Sequence, residues 1–179
     1  MNLDRLQQHC LQFLEKSEPA DGAHDISHVR RVVKNCSYLT DIESANASIT
    51  IPAAWLHDCV AVPKDSPLRS QGSRLAAEAA VEFLAEIDYP QEHLEDIYHA
   101  IEAHSYTAAI PTRTLEAQIV QDADRLDSLG AIGIARCLLV GGHLNRPLCD
   151  ANDPFCDDRE PDDSLYTIDH FYNKLFKLP

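Results

Sequence analysis

The sequence lacks the features that mark several classes of protein. Its six cysteines include no close Cys-x-x-Cys pair, so the short ligand spacings of a structural zinc site are absent. No apolar run approaches the ~20 residues of a membrane-spanning helix. The first residues lack the basic segment and apolar core of a signal peptide. We therefore expect a cytoplasmic protein with reduced thiols and no membrane partner.

Positive charge is also scarce. The chain has 15 Lys and Arg against 29 Asp and Glu, which gives a formal net charge of -14. Binding to a nucleic acid polymer or an anionic membrane needs a basic surface, so this balance argues against both partners. A small phosphorylated substrate remains compatible with it, because a bound cation and a few basic side chains can reverse the local field.

Strict alternation of apolar and polar residues, which marks a half-buried strand, persists nowhere in the chain. Apolar residues instead recur at helical spacing, without internal repeats or a second core-forming block. We therefore predict an all-α fold in which residues 1–179 form one domain. We expect Pro52 to begin a short helix. A later helical run should stop at Gly141-Gly142, and Ser164 should cap the last helix.

Two side chains that can bind a metal stand next to each other after the apolar run 54–56. They are His57 and Asp58. Burying an ionised Asp in such surroundings is costly without a partner, although Asp58 could instead simply end the helix. Imidazole and carboxylate together suit divalent cations of intermediate hardness, such as Mn, Fe, Co, Ni or Zn.

Further ligands would have to come from distant parts of the chain. His28 falls in the first turn of a predicted helix that Asp25 or Ser27 caps. Asp122 and Asp124 lie two residues apart, about 200° around a helix, so only one of them can reach a given ion. The alternative is that both are surface residues.

Four segments in this order resemble the motifs of the HD-domain superfamily of metal-dependent phosphohydrolases. They are 24–32 (HDISHVRRV), 54–58 (AWLHD), 99–105 (HAIEAHS) and 120–131 (VQDADRLDSLGA). With 64–69 (KDSPLR) they are similar to a small bacterial subgroup implicated in nucleoside triphosphate pyrophosphohydrolysis. The resemblance covers most of the chain. The subgroup continues with a further helix where this chain stops at Pro179, and we expect its absence to weaken the fold without removing a ligand.

The resemblance implies a helical bundle that holds one divalent metal ion. Manganese is favoured, with Fe, Co, Ni, Zn and Mg as alternatives. Asp124, rather than Asp122, matches the last ligand of the family. The implied ligands are His28, His57, Asp58 and Asp124.

Other residues near these motifs are candidates for catalysis and substrate binding. Deprotonation of the attacking water could fall to a group beside the metal, Asp58 among the ligands, with His104 and Glu102 as weaker candidates. His104 could equally be structural. Lys64 and Arg69 lie in a loop bounded by prolines, where they would hold the distal phosphates of a substrate. The alternative is an ordinary solvated loop.

The function that the resemblance implies is hydrolysis of a nucleoside triphosphate to a monophosphate and pyrophosphate. One alternative is a phosphatase that acts on nucleoside monophosphates. Another is a metal-binding or nucleotide-binding sensory domain without turnover. The protein would act as a monomer or a homodimer on a small nucleotide.

Overall fold

The computed structural model describes residues 2–16, 25–62 and 66–178, and for Arg69 it describes the backbone alone. These residues form eight α-helices, three short 3-10 helices and no strand, so the predicted all-α class is confirmed. The α-helices are α1 (Leu3–Leu14), α2 (Ile26–Glu43), α3 (Ala47–Leu56), α4 (Gly72–Glu86), α5 (Leu94–His104), α6 (Leu115–Leu126), α7 (Gly130–His143) and α8 (Asp169–Asn173).

Backbone contacts divide the described chain into two compact units. The first ends at Leu126 and contains α1 to α6, and the second begins at Asp127 and contains α7 and α8. The assignment of residues 1–179 to a single domain stays a prediction. Among the described residues, no helix combines the length and apolar character needed to cross a membrane.

Helix α3 is the centre of the first unit. Every residue from Ile49 to Leu56 is buried, and the helix contacts α1, α2, α4, α5 and α6. A helix that is apolar on all sides is stable only where its neighbours cover every side. This burial fixes the position of the helix end, and therefore of His57 and Asp58, which follow it directly.

Helix α3 begins earlier than predicted, at Ala47 rather than at Pro52. Asn46 caps it, because its side chain accepts the backbone N–H of Ser48 (2.9 Å). Pro52 has no N–H to donate to the Ser48 carbonyl one turn before it. That carbonyl instead accepts the hydroxyl of Tyr89 (2.8 Å). A tertiary hydrogen bond thus replaces the helical one, which explains why proline is tolerated inside this helix.

The helical run that was predicted to stop at Gly141 is interrupted earlier and ends later. Helix α6 ends at Leu126, and α7 begins at Gly130, whose φ of +61° lies in the left-handed region that favours glycine. Helix α7 then continues to His143. A Cβ atom on Gly141 would lie 2.2 Å from Oγ1 of Thr167, so this glycine allows close packing and does not end the helix.

In the second unit, the irregular segment before the last α-helix is stabilised by hydrogen bonds to one buried carboxylate. Asp169 is fully buried, and its Oδ1 accepts a hydrogen bond from Nη2 of Arg159 (2.9 Å). The backbone N–H of Asp162 donates to Oδ2 of the same side chain (2.7 Å). A buried ionised carboxylate needs such partners. The last α-helix begins at Asp169, and the predicted cap Ser164 instead donates from its backbone N–H to Asp162 (2.9 Å).

Candidate metal centre

His28 lies in the first turn of α2, as predicted. Of the two proposed caps, the structure uses Asp25, whose carboxylate accepts the backbone N–H of His28 (3.0 Å). This cap stabilises the first turn and sets its orientation. The His28 side chain is fully buried, and its Nε2 points at the ligands supplied by other helices.

His57 and Asp58 directly follow the buried helix α3. Nδ1 of His57 lies 2.9 Å from the carbonyl oxygen of Ala54. Because a carbonyl only accepts, Nδ1 carries the proton and Nε2 keeps a free lone pair. The His57 ring is fully buried, whereas the Asp58 side chain is 35% exposed. The pair therefore extends from the interior of the unit to its surface.

Asp124 comes from α6, on the other side of the cluster. Its Oδ1 lies 3.5 Å from Nε2 of His28 and 3.9 Å from Nε2 of His57. Helix α6 packs against both α2 and α3, so the carboxylate is placed by contacts made along the whole helix. The structure thus brings the four predicted ligands to one place.

The donor atoms of His28, His57 and Asp58 form a compact set. Nε2 of His28 lies 3.3 Å from Nε2 of His57 and 3.8 Å from Oδ2 of Asp58. Nε2 of His57 lies 3.6 Å from the same Asp58 oxygen. Atoms bonded to one ion at about 2.1 Å stand roughly 3–4 Å apart. The spacing and the mixture of imidazole and carboxylate therefore fit a divalent cation of the predicted kind.

The electrostatics of the centre favour the metal-binding form of His57. Burial lowers the pKa of His57 to about 4, and the charge of Asp58 only partly opposes this shift. The ring is therefore neutral at pH 7, and neutral imidazole is the form that binds a metal.

His104, the last residue of α5, also reaches the cluster. Its Nδ1 lies 2.6 Å from the carbonyl of Ile101, so this nitrogen carries a proton, and Nε2 is the atom that gains or loses one. Nε2 lies 3.6 Å from Oδ1 of Asp58, and the ring stands edge-on to His57. Burial lowers the pKa of His104, but the hydrogen bond and charge of Asp58 outweigh it and hold the pKa above its ordinary value.

The other predicted base, Glu102, faces different neighbours on the same helix. Its charge acts on Tyr98 and His99. His99 in turn accepts the backbone N–H of Arg113 at Nε2 (2.9 Å), which ties down the chain before α6. The catalytic role of Glu102 stays a prediction, and position favours His104.

The predicted phosphate-binding residues are not defined by the structure. Lys64 lies outside the described residues. Arg69 begins the 3-10 helix Arg69–Gln71, but its side chain is outside the description. The proposed phosphate clamp therefore stays a prediction.

Replacing Asp122 with Asn should leave the metal content unchanged, whereas Asp124→Asn should lose the metal. Asp122 is exposed on α6, while Asp124 is the aspartate whose oxygen lies beside the two imidazoles. The two substitutions are chemically identical, so each controls for the other. Elemental analysis of both purified variants tests the assignment, and the reverse pattern would show that Asp122 is the ligand.

The fold and the site together define a class: an all-α protein with a centre of two buried histidines and two aspartates. Comparison with known proteins identifies the family. Residues 25–129 match the HD domain family, and the chain belongs to this family. The resemblance predicted from the motifs is therefore confirmed at the level of the family.

Individual relatives agree with this assignment. The uncharacterized protein YpgQ of Bacillus subtilis (strain 168) is 30% identical over 161 residues, which are 88% of this chain and 70% of YpgQ. The crystal structure of YpgQ in complex with ADP has a TM-score of 0.69 at 26% identity, covering 97% of this chain and 80% of that one. A protein from Lactobacillus plantarum has a TM-score of 0.76 at 30% identity, with coverages of 99% and 84%.

A further similar structure belongs to a protein that is named as a hydrolase. It is an HD-superfamily hydrolase from Bacillus thuringiensis, with a TM-score of 0.67 and 31% identity over 98% of this chain and 81% of that one. Family, fold and donor set together support a metal-dependent HD-superfamily hydrolase. His28, His57 and Asp58 can hold its divalent ion.

Proposed function

We propose that this protein hydrolyses nucleoside triphosphates to nucleoside monophosphate and pyrophosphate, with one divalent metal ion, manganese favoured. The observation that carries the proposal is the cluster of His28, His57, Asp58 and Asp124: the two histidine Nε2 atoms are 3.3 Å apart, and each lies 3.5–3.9 Å from an oxygen of Asp58 and of Asp124. The related protein YpgQ has been crystallised with ADP, which supports a nucleotide as the ligand here. The low content of Lys and Arg favours a small nucleotide over a nucleic acid polymer.

His28, His57, Asp58 and Asp124 would hold the ion from positions within or directly after packed helices. A divalent cation in this position would lower the pKa of water and polarise a phosphoryl oxygen. The buried imidazoles of His28 and His57 exclude solvent from the inner side of the centre. The partly exposed Asp58 marks the side from which a phosphate can enter.

His104 is placed to handle a proton at this open side. Nε2 faces Asp58, and in the neutral ring it can accept a hydrogen bond from water held at the centre. The Ile101 carbonyl holds its other nitrogen and fixes the direction of the acceptor. We assign His104 as the group that accepts the proton from the attacking water.

Replacing Lys64 or Arg69 with Ala should lower catalytic efficiency on triphosphates by about tenfold or more, because each charge-assisted phosphate contact is worth ~1.5–3 kcal/mol. Metal content should not change, and a monophosphate should be affected less because it lacks the distal groups. Steady-state kinetics on both substrates, with elemental analysis, tests this. A small and equal loss on both substrates would show that this loop does not bind the distal phosphates.

A panel of nucleotides with product identification tests the function as a whole. The purified protein is loaded with Mn²⁺, incubated with nucleoside triphosphates and monophosphates, and its products are separated. Monophosphate plus pyrophosphate supports the proposal. Nucleoside plus phosphate from a monophosphate would show a phosphatase instead. Nucleotide binding without any product would show a sensory domain.

A further inference from the structure

Arg125 stands out on the helix that carries the ligand Asp124. Its Nε is buried and has no hydrogen-bond partner, and no other buried side-chain nitrogen or oxygen in the described residues is in this position. Nor does the described part of the chain give the Arg125 guanidinium an ion pair or any other hydrogen bond. A buried donor without an acceptor costs free energy, which a ligand can recover by accepting from it.

Three other arginines of this protein are paired with carboxylates. Acidic residues outnumber basic ones by 29 to 15, so acceptors for a guanidinium are plentiful. Arg74 is paired with Glu78, Arg136 with Asp127 and Arg159 with Asp169. The described residues give Arg125 no such carboxylate partner, so its guanidinium can bind an anion from outside.

The position of Arg125 on α6 places it near the end of α5, which carries His104. One turn before it on α6, Gln121 donates from Nε2 to the carbonyl of Ala103 (2.8 Å), next to His104 at the end of α5. Residues four apart lie on the same side of a helix, about one turn along. Arg125 therefore lies on the side of α6 that faces the end of α5, directly after the ligand Asp124.

We infer that Arg125 binds a phosphate group of the substrate, the one next to the metal ion. This inference rests on the proposed function and adds a residue to it. A guanidinium presents its donors in a planar fork that matches two phosphate oxygens, which the point charge of Lys cannot do. Because the group bound is the one at the metal, every nucleotide substrate should depend on Arg125, and not triphosphates alone.

Calorimetric titration with ADP in the presence of Mn²⁺, and kinetics on a triphosphate, test this with Arg125→Gln and Arg125→Lys. We expect ADP to bind at least tenfold more weakly to Arg125→Gln, KM for the triphosphate to rise by a similar factor, and metal content to stay normal. Arg125→Lys should be intermediate. The melting temperature of both should not fall, because no hydrogen bond or ion pair among the described residues is lost. Arg74→Gln, at an exposed pair, is the matched control and should behave as wild type.

The outcomes separate this inference from the proposed function. Normal ADP binding and KM in Arg125→Lys, or a fall in its melting temperature with unchanged binding, would show a structural role and overturn the inference. If the wild type binds ADP through Arg125 but hydrolyses no nucleotide, the proposed function fails and the inference stands. If the wild type hydrolyses triphosphates and Arg125→Gln does so equally well, the inference alone fails. Absence of both binding and hydrolysis overturns both.

Discussion

His57→Ala is expected to abolish metal binding and, with it, hydrolysis. Nε2 of His57 lies within 3.9 Å of donor atoms from His28, Asp58 and Asp124, so its removal takes one ligand from the middle of the set. Changes to residues that only support a ligand cost roughly 10–100-fold in metal affinity, and loss of a ligand itself should cost more. Elemental analysis after gel filtration, with the rate on a nucleoside triphosphate, measures both effects.

The fold should survive this substitution, since the rest of the buried core is unchanged. Circular dichroism should show the helical content of the wild type. His143→Ala, at an exposed residue in α7, is the matched control and should keep both metal and activity. Full metal content in His57→Ala would remove His57 from the centre and contradict the proposed ligand set.

Local sequence patterns predict where each ligand sits on its own helix, but not which ligands meet. The Asp25 cap fixes His28 in the first turn of α2, and capping is a local interaction that the sequence displays. The approach of His28 to Asp124 at 3.5 Å depends on how α2 and α6 pack around α3. Resemblance to a family of known ligand order supplied this pairing, and spacing along the chain could not.

The bounds of α3 show a second limit. A helix that is apolar on every side has no periodic pattern from which its extent can be read. Pro52, the predicted start, instead lies inside the helix, which Asn46 caps six residues earlier. The residue that makes proline acceptable inside the helix is Tyr89, whose hydroxyl binds the Ser48 carbonyl. A partner so distant in sequence cannot be predicted from the helix itself.

The same limit applies to the side chains around the metal ligands. The sequence offers His99, Glu102 and His104 on one short helix, and nothing local separates a residue facing the centre from one facing a loop. Packing decides that His104 faces Asp58 and that His99 binds the backbone of Arg113. No sequence pattern indicates a binding role for Arg125, because an arginine in a helix is usually solvated. Only the structure shows that its buried Nε has no hydrogen-bond partner.

Replacing His104 with Gln should lower kcat on a nucleoside triphosphate by ~10²–10⁴, the usual contribution of a general base, while the metal stays bound. In the wild type, kcat should fall as the pH drops through the pKa of His104, because the protonated ring can no longer accept, and this limb should be missing from the variant. His99→Gln is the matched control: it loosens the contact to Arg113 and should affect the melting temperature more than kcat. Loss of metal in His104→Gln would make His104 a ligand, and an unchanged kcat would leave the proton transfer to another group. The two results are separable because metal content and kcat are measured on the same sample.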